Sequence, residues 1–440
     1  MAENKPVTVG YKAHVAEIQQ RWEAALAAES YDAALIHAGS HLVSFLDDYE
    51  YPFRCNPHLL WWAPLTRHHD SALLVRPGRK PKLFYFQPDD YWYLPPADPD
   101  SWWADEFEVV AVRDADAWKQ AIAANTAYIG DAPSLLESVE VSSVNPERLL
   151  NRIHLERTRK TPYEIACIAE AASLGAVAHT AAEAAFREGL SEYDIHQRYC
   201  MAIKLVDAEL PYGNIVALNE HGAVLHYQSH EQQAPLNARS FLIDAGATVH
   251  AYASDITRTY AAGAGEFADL ITAMDTMQQQ LCKAVLAGVD YRDLHLHTHL
   301  QIAGILKQSG IINGTADAAV ATGLSAVFYP HGLGHFLGLQ THDVAGLIAD
   351  VDGTPIPRPE GHPFLRLTRK LEPGNVLTIE PGLYFIEPLL RRWRKTGDVA
   401  AINWDKVEAL APYGGIRIED NMVVTDAAPQ NLTRDAFAAL

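Results

Sequence analysis

The stretch FLIDAGATVHAYASDITRTY, residues 241 to 260, constrains this chain more than any other. It reads as two β-strands joined by a short connection, with Asp244 after Phe-Leu-Ile and Asp255 before Ile-Thr-Arg-Thr. Residues directly opposite each other in an antiparallel pair face the same side of a sheet. A register that pairs Asp244 with Asp255 centres its turn near Val249 and His250. Two carboxylates facing each other on a buried surface repel, so one must be neutral or both must share a cation. Taken alone, the pair is equally compatible with turn capping at strand ends. The cation reading needs ligands from elsewhere.

Three later motifs supply them. HGLGHFLGLQTHD, residues 331 to 343, spaces three histidines among glycines, and imidazole is the usual nitrogen ligand of a divalent metal. LTIEPG places Glu380 after an apolar strand, and GGIRIED places Glu419 in the same kind of position. Two aspartates, one histidine and two glutamates exceed what a single structural zinc takes and suit two adjacent ions bridged by carboxylates. LHLHTHL, residues 294 to 300, puts His295 and His299 four apart. With no carboxylate at metal-site spacing, these two read as the solvated face of an amphipathic helix.

The 440 residues, 48% hydrophobic and 20% charged, suffice for two or three domains, and a formal net charge of -20 disfavours nucleic acid or an anionic membrane as partner. No stretch approaches the ~18 apolar residues of a membrane span. Cys55, Cys167, Cys200 and Cys282 are too scattered for a disulfide framework or a thiolate zinc site, which points to reduced cytoplasmic thiols. Residues 1–155 alternate helix and strand: a helix from Val15 to Ala28, a strand at 32–39, two strands around Pro77-Gly78, a strand at 106–112, a helix at 115–125 and a strand at 127–130. The segment PDDYWYLPPADPDSWW, 88 to 103, reads as packing. Residues 156–440 read as an α+β domain. A capping box at Thr161–Glu164 opens an Ala-rich helix to Phe186, and a second helix starts at 191–194. Two more follow at about 266–287 and 291–309, and short strands with Gly and Pro turns run from Ser325 onward.

The order Asp244, Asp255, His335, Glu380, Glu419, with the wording around each, resembles the pita-bread metallopeptidases, which include methionine aminopeptidase, aminopeptidase P and prolidase. The resemblance covers roughly residues 160 to 440. FLDDYEYPFRCNP, in the first domain, resembles the long bacterial prolidases. The implied architecture is an α+β pita-bread catalytic domain, 156–440, preceded by a smaller α/β domain, 1–155. The resemblance further implies a dipeptidase that cleaves Xaa-Pro dipeptides with a hydroxide generated at two divalent ions, manganese first and cobalt or zinc as substitutes. Asp244 would hold the first ion, Asp255 and Glu419 would bridge both, and His335 and Glu380 would bind the second. Glu380 would relay the proton to the leaving nitrogen, with His342 and His226 stabilising the tetrahedral oxygen.

Arg366, fourteen residues before Glu380, would clamp the substrate's carboxylate, and Arg417 would orient ligands. His331 would stand beside the site, with Tyr212 and Leu225 as pocket walls; for His226 and His331 alone, a satisfied core histidine is the blander expectation. A cytoplasmic homodimer follows from the same resemblance, with Asp47 or Asp48 reaching the partner subunit's site, and so does a side activity on organophosphate triesters. Aminopeptidase P acting on longer peptides and a non-catalytic binding protein are the competing implications.

Overall fold

The computed structural model describes residues 7–131, 136, 139 and 141–440. They form two compact units, one within Met1–Arg157, Thr161–Cys167 and Ala349–Thr354, the other Thr158–Lys160, Ile168–Ile348 and Pro355–Leu440.

In the first unit α1 (Tyr11–Ala28) leads into β1 (Ala33–His37), whose residues are all buried, as suits a strand covered on both faces. After the short α2 (Pro57–Leu60), β2 (Ala72–Val75) and β3 (Lys82–Phe86) make the antiparallel pair expected around Pro77-Gly78. With β4 (Glu108–Val112), β5 (Thr126–Ile129) and β6 (Ser143–Val144) they form a mixed sheet of order β4-β3-β2-β1-β5-β6, and α3 (Glu147–Arg157) follows. Two expectations fail here. Residues 115–125 hold only a 3-10 segment, Ala117–Ala121, because Trp118 is its one buried residue and so small an apolar face nucleates no longer helix. The tip of the 88–103 segment does not pack: Asp90 accepts from the Trp92 N–H at 2.7 Å and turns the chain outward, leaving Tyr91, Trp92, Tyr93 and Leu94 exposed while Trp103 is buried.

α4 (Pro162–Arg187) starts at the expected capping box, in which Thr161 Oγ1 accepts from the Glu164 N–H at 3.4 Å and Glu164 Oε2 from the Thr161 N–H at 2.9 Å. Contrary to expectation, α4 is long and apolar enough, by length and composition, to cross a bilayer. Its apolar character has a use within the fold: Ala178, Ala182, Ala185 and Phe186 are buried with residues of α5 (Glu192–Ile203) against Val216, Leu218, Phe241 and Ile243.

Those four residues belong to β7 (Ile215–Leu218) and β8 (Ser240–Asp244). After the small hairpin of β9 (Thr248–Val249) and β10 (Tyr252–Ala253) comes β11 (Thr257–Ala261), giving an antiparallel sheet of order β11-β8-β7. Alternation sends Ile215, Ala217 and Leu242 to the opposite face, where they pack on Tyr384, and Asp244 follows Leu242 in that parity. Asp244 pairs with Thr257, not with Asp255. The hairpin turning at His250-Ala251 takes up the extra residues, and a slip of two leaves each side chain on its own face.

The remaining helices, α6 (Glu266–Lys283), α7 (Tyr291–Gln308), α8 (Ala316–Ala321) and α9 (Ser325–Phe328), share a core with β12 (Val376–Ile379), β13 (Gly382–Tyr384), β14 (Gly415–Arg417) and β15 (Asp420–Val423). The C-terminal region is not strands alone. It also holds α10 (Glu387–Thr396), α11 (Trp404–Leu410) and, after β16 (Gln430–Asn431), α12 (Leu432–Ala438). Pro388 near the start of α10 and the side-chain caps Asn403 and Asn431 initiate them. On α7, His295 and His299 are each only 1% exposed, not solvated. They share the helix face of buried Tyr291, Leu294, Thr298 and Ile302, at spacings of three and four.

Candidate active site

The candidate ligands all lie in the second unit, at strand ends. Asp244 closes β8, Asp255 precedes β11, Glu380 follows β12 and Glu419 stands between β14 and β15. His335 lies on a loop laid flat along β12: its N–H donates to Thr378 Oγ1 at 3.2 Å and its carbonyl accepts from the Thr378 N–H at 2.9 Å. Gly334 permits this approach, since a Cβ there would stand 2.2 Å from the Thr378 carbonyl oxygen. The Glu380 N–H donates to the Leu333 carbonyl at 2.8 Å and the Glu419 N–H to that of Thr257 at 3.0 Å, so four separate segments are tied together by backbone.

The side chains then converge. Tyr212 Oη lies 2.8 Å from Asp244 Oδ1 and 2.5 Å from Asp255 Oδ1. A hydroxyl has one proton, so it cannot satisfy two carboxylates, and the pair retains negative charge that a cation would neutralise. His335 Nδ1 donates to the Phe336 carbonyl at 2.9 Å, which turns Nε2 toward Asp255 Oδ2 at 3.3 Å and Glu380 Oε1 at 3.6 Å. Thr257 Oγ1 donates to Glu419 Oε2 at 2.7 Å. Asp255, His335 and Glu419 are all buried and offer ligand atoms within 4.8 Å of one another. The donor set is rich in oxygen, carries four carboxylates and so fits divalent cations.

Arg417 is the nearby fixed cation. Its Nη2 donates to Asp244 Oδ2 at 2.7 Å and its Nη1 to Tyr384 Oη at 2.9 Å. Tyr384 in turn meets His331 Nε2 at 2.8 Å, and His331 Nδ1 donates to the Gly332 carbonyl at 2.8 Å. Burial, then the Arg417 charge, push the His331 imidazole down to about 3, so it stands neutral as a hydrogen-bond partner.

Burial pushes the carboxyls up, and neighbours decide the net result. Glu380 rises to about 7 through burial, despite the opposing pull of His335. Glu419 is raised by burial and by Asp255, and Asp244 by burial, against Arg417. For Asp255 the hydrogen bond and charge of His335 outweigh burial, so it falls. One site thus holds acids of opposite tendency, a pattern that accompanies acid–base chemistry.

The outer residues are less enclosed. His342 is exposed, its ring 4.4 Å from that of His335, and burial followed by the His335 and Arg366 charges lowers it to about 4. The neighbouring Asp343 makes an ion pair with Lys160 at 2.8 Å, the two side chains 2% and 1% exposed, which anchors the loop. Arg366 is exposed, and so is His226, which is therefore no core histidine; the charges of both act on His342. Leu225 packs beside Tyr384 and Leu242. Tyr212 is more than a pocket wall, because it binds both aspartates. Asp47 and Asp48 are exposed in the first unit. Sequence reasoning passed over Tyr384, Thr257 and the Lys160–Asp343 pair. The only signal for Tyr384 was its place two residues past Gly382, and the partners of the other residues lie far along the chain.

The family model described as metallopeptidase family M24 matches residues 166–426, and the model described as the Xaa-Pro dipeptidase N-terminal domain matches 9–155. The chain belongs to metallopeptidase family M24. This M24 chain is 50% identical over 437 residues to a Xaa-Pro dipeptidase of Xanthomonas campestris, covering 98% of this chain and 99% of that one. It is 49% identical over 433 residues to a Xaa-Pro dipeptidase of Stenotrophomonas maltophilia, covering 98% and 97%. Among solved structures it resembles aminopeptidase P from E. coli, with a TM-score of 0.73 at 24% identity over 96% of this chain and 95% of that one. Proline aminopeptidase P II from Yersinia pestis gives 0.72 at 24% identity, covering 96% and 98%. At these identities the likeness establishes the fold, an N-terminal domain followed by a pita-bread domain.

Proposed function

We propose that this chain is a metal-dependent Xaa-Pro dipeptidase releasing C-terminal proline, with Asp244, Asp255, His335, Glu380 and Glu419 as ligands of two divalent ions and with 1–155 and 156–440 as its domains. The convergence of these side chains carries the reading: Tyr212 bridges Asp244 and Asp255, His335 faces Asp255 and Glu380, and Asp255, His335 and Glu419 offer ligand atoms within 4.8 Å of one another. The dipeptidases of the two bacteria named above, matched nearly end to end, support the choice of substrate. Ions held there would acidify a water and polarise the scissile carbonyl.

The chain's own groups do the rest. Glu380 would take a proton and return it to the proline nitrogen, which leaves only once protonated. His342 and His226 would stabilise the developing oxyanion, and neutral His331 is held in place by Tyr384. Arg366 pairs with the substrate's carboxylate, which restricts the product to dipeptide cleavage. Gly346 lets that segment pass, since a Cβ there would lie 2.4 Å from the Arg366 carbonyl oxygen.

Manganese is our choice of ion, because a mainly carboxylate site suits it; cobalt or zinc would substitute. A cytoplasmic setting agrees with four buried cysteines that form no disulfide, and a homodimer with the apolar side chains exposed at Phe45, Leu46 and Tyr91–Leu94.

The test is hydrolysis of Ala-Pro beside Gly-Pro-Ala by protein stripped of metal and titrated with Mn²⁺. Cleavage of the dipeptide alone, lost in R366A through KM, supports the proposal. Cleavage of the tripeptide makes the chain an aminopeptidase, and silence on both makes it non-catalytic.

A further inference from the structure

A second group of metal-type side chains lies in the same unit, outside the carboxylate cluster. His295 and His299 stand one turn apart on α7, and His362 approaches them from the segment that leads to Arg366. The three rings offer one nitrogen each within 4.8 Å of one another. His295 Nε2 lies 2.9 Å from His362 Nδ1, and the ring centroid of His299 is 4.5 Å from that of His362 and 4.8 Å from that of His295.

We propose that His295, His299 and His362 form a further cation site, for a borderline transition-metal dication such as Zn²⁺. The first ground is the state of the nitrogens. His299 Nδ1 is engaged by Ser325 Oγ at 3.0 Å, which orients the ring and turns Nε2 inward. That Nε2 is buried and has no hydrogen-bond partner among the described residues, nor has His295 Nδ1. A cation among the rings would satisfy the Nε2 of His299 and replace the lone hydrogen bond between His295 and His362 with two further ligand bonds.

The second ground is competition with protons. Burial, then the neighbouring imidazoles, hold His295 down at about 2 and His299 at about 3, so both present lone pairs throughout the physiological range. The third is ligand chemistry. Imidazole nitrogens alone suit Zn²⁺, Cu²⁺ or Ni²⁺, whereas the carboxylate cluster suits harder ions, so the two sites select differently. Three protein ligands leave a fourth position, and His362 is only partly buried. A bound ion would pin to α7 the segment that carries Arg366, four residues beyond His362.

The decisive experiment is anomalous diffraction above and below the zinc edge on crystals of the manganese-loaded protein exposed to a few equivalents of Zn²⁺. A zinc peak equidistant from the three rings is expected; no peak there, or one touching a single imidazole, overturns the site. In solution, manganese-loaded protein dialysed against trace Zn²⁺ should retain one zinc per chain more than H362Q does, whatever zinc exchanges into the carboxylate site of both. The control H297Q removes the exposed histidine of the same helix and should keep it. Equal zinc retention by wild type and H362Q would overturn the proposal independently of the crystals.

Discussion

The second unit buries two clusters of metal-type side chains, and burial treats them in opposite ways. The carboxylate cluster gathers four acids around Arg417 and His335, and burial drives Glu380, Glu419 and Asp244 toward holding protons. The imidazole cluster gathers three rings, and the same burial drives protons off. Desolvation always disfavours the charged form, so an acid site becomes a place where cations compete with protons and a histidine site one where they do not. The first can take part in proton transfer. The second is built to hold.

The comparison breaks most readily at Glu419. E419Q keeps the hydrogen bond from Thr257 but removes a charge from the acid cluster, and we expect hydrolysis to fall on the order of 10³-fold, since ions supply several kcal/mol at the transition state. Metal analysis should show fewer than two ions retained. Full activity with a full complement would remove Glu419 from the site.

Arg417 comes next, because it is the acid cluster's fixed counter-charge. R417M strands Asp244 in a buried position and should cost about 3–5 kcal/mol in denaturant unfolding of the ion-free protein, as for other broken buried pairs. A loss under 1 kcal/mol would mean that Asp244 is protonated there.

Removing the ions sharpens the contrast through pH. In ion-free protein the folded value of Glu380, about 7, lies above its ordinary 4.5. Its contribution to stability is therefore fully present below pH 4.5 and is lost as pH rises through 7, an effect on the order of 3 kcal/mol. Metal stripping should lower the Tm most above pH 7 and least near pH 5, measured by calorimetry with and without chelator. A Tm difference independent of pH would contradict this.

Smaller effects test the supports. Y384F keeps the ring that packs on Leu242 but removes the hydroxyl linking Arg417 to His331, and we expect a loss of about 10–100-fold in kcat/KM and of about 1–3 kcal/mol in stability, since a buried Arg417 donor loses its acceptor. At the other end, H297A alters only the exposed face of α7 and should stay within about 0.5 kcal/mol of wild type in stability, with both clusters intact.

Much of this was legible in the chain. Thr161–Glu164 announced the start of α4, and the helices near 266 and 291 followed from periodicity. The histidines of α7 were misread because a single helix shows spacing but not which stripe is inward. Their register with Tyr291 and Ile302 was the available clue.

The residue types and their order by themselves singled out two aspartates, a histidine and two glutamates as candidate ligands, because like charges on buried strands must either take up protons or share a cation. Tertiary structure alone decided the rest. The β9–β10 hairpin sets Asp244 opposite Thr257, Arg417 meets Tyr384 across β13 and β14, Lys160 meets Asp343, and His362 meets α7. The last three of these contacts join residues whose sequence separation carries no local signal, and they form because a buried polar group must find its partner in the folded chain.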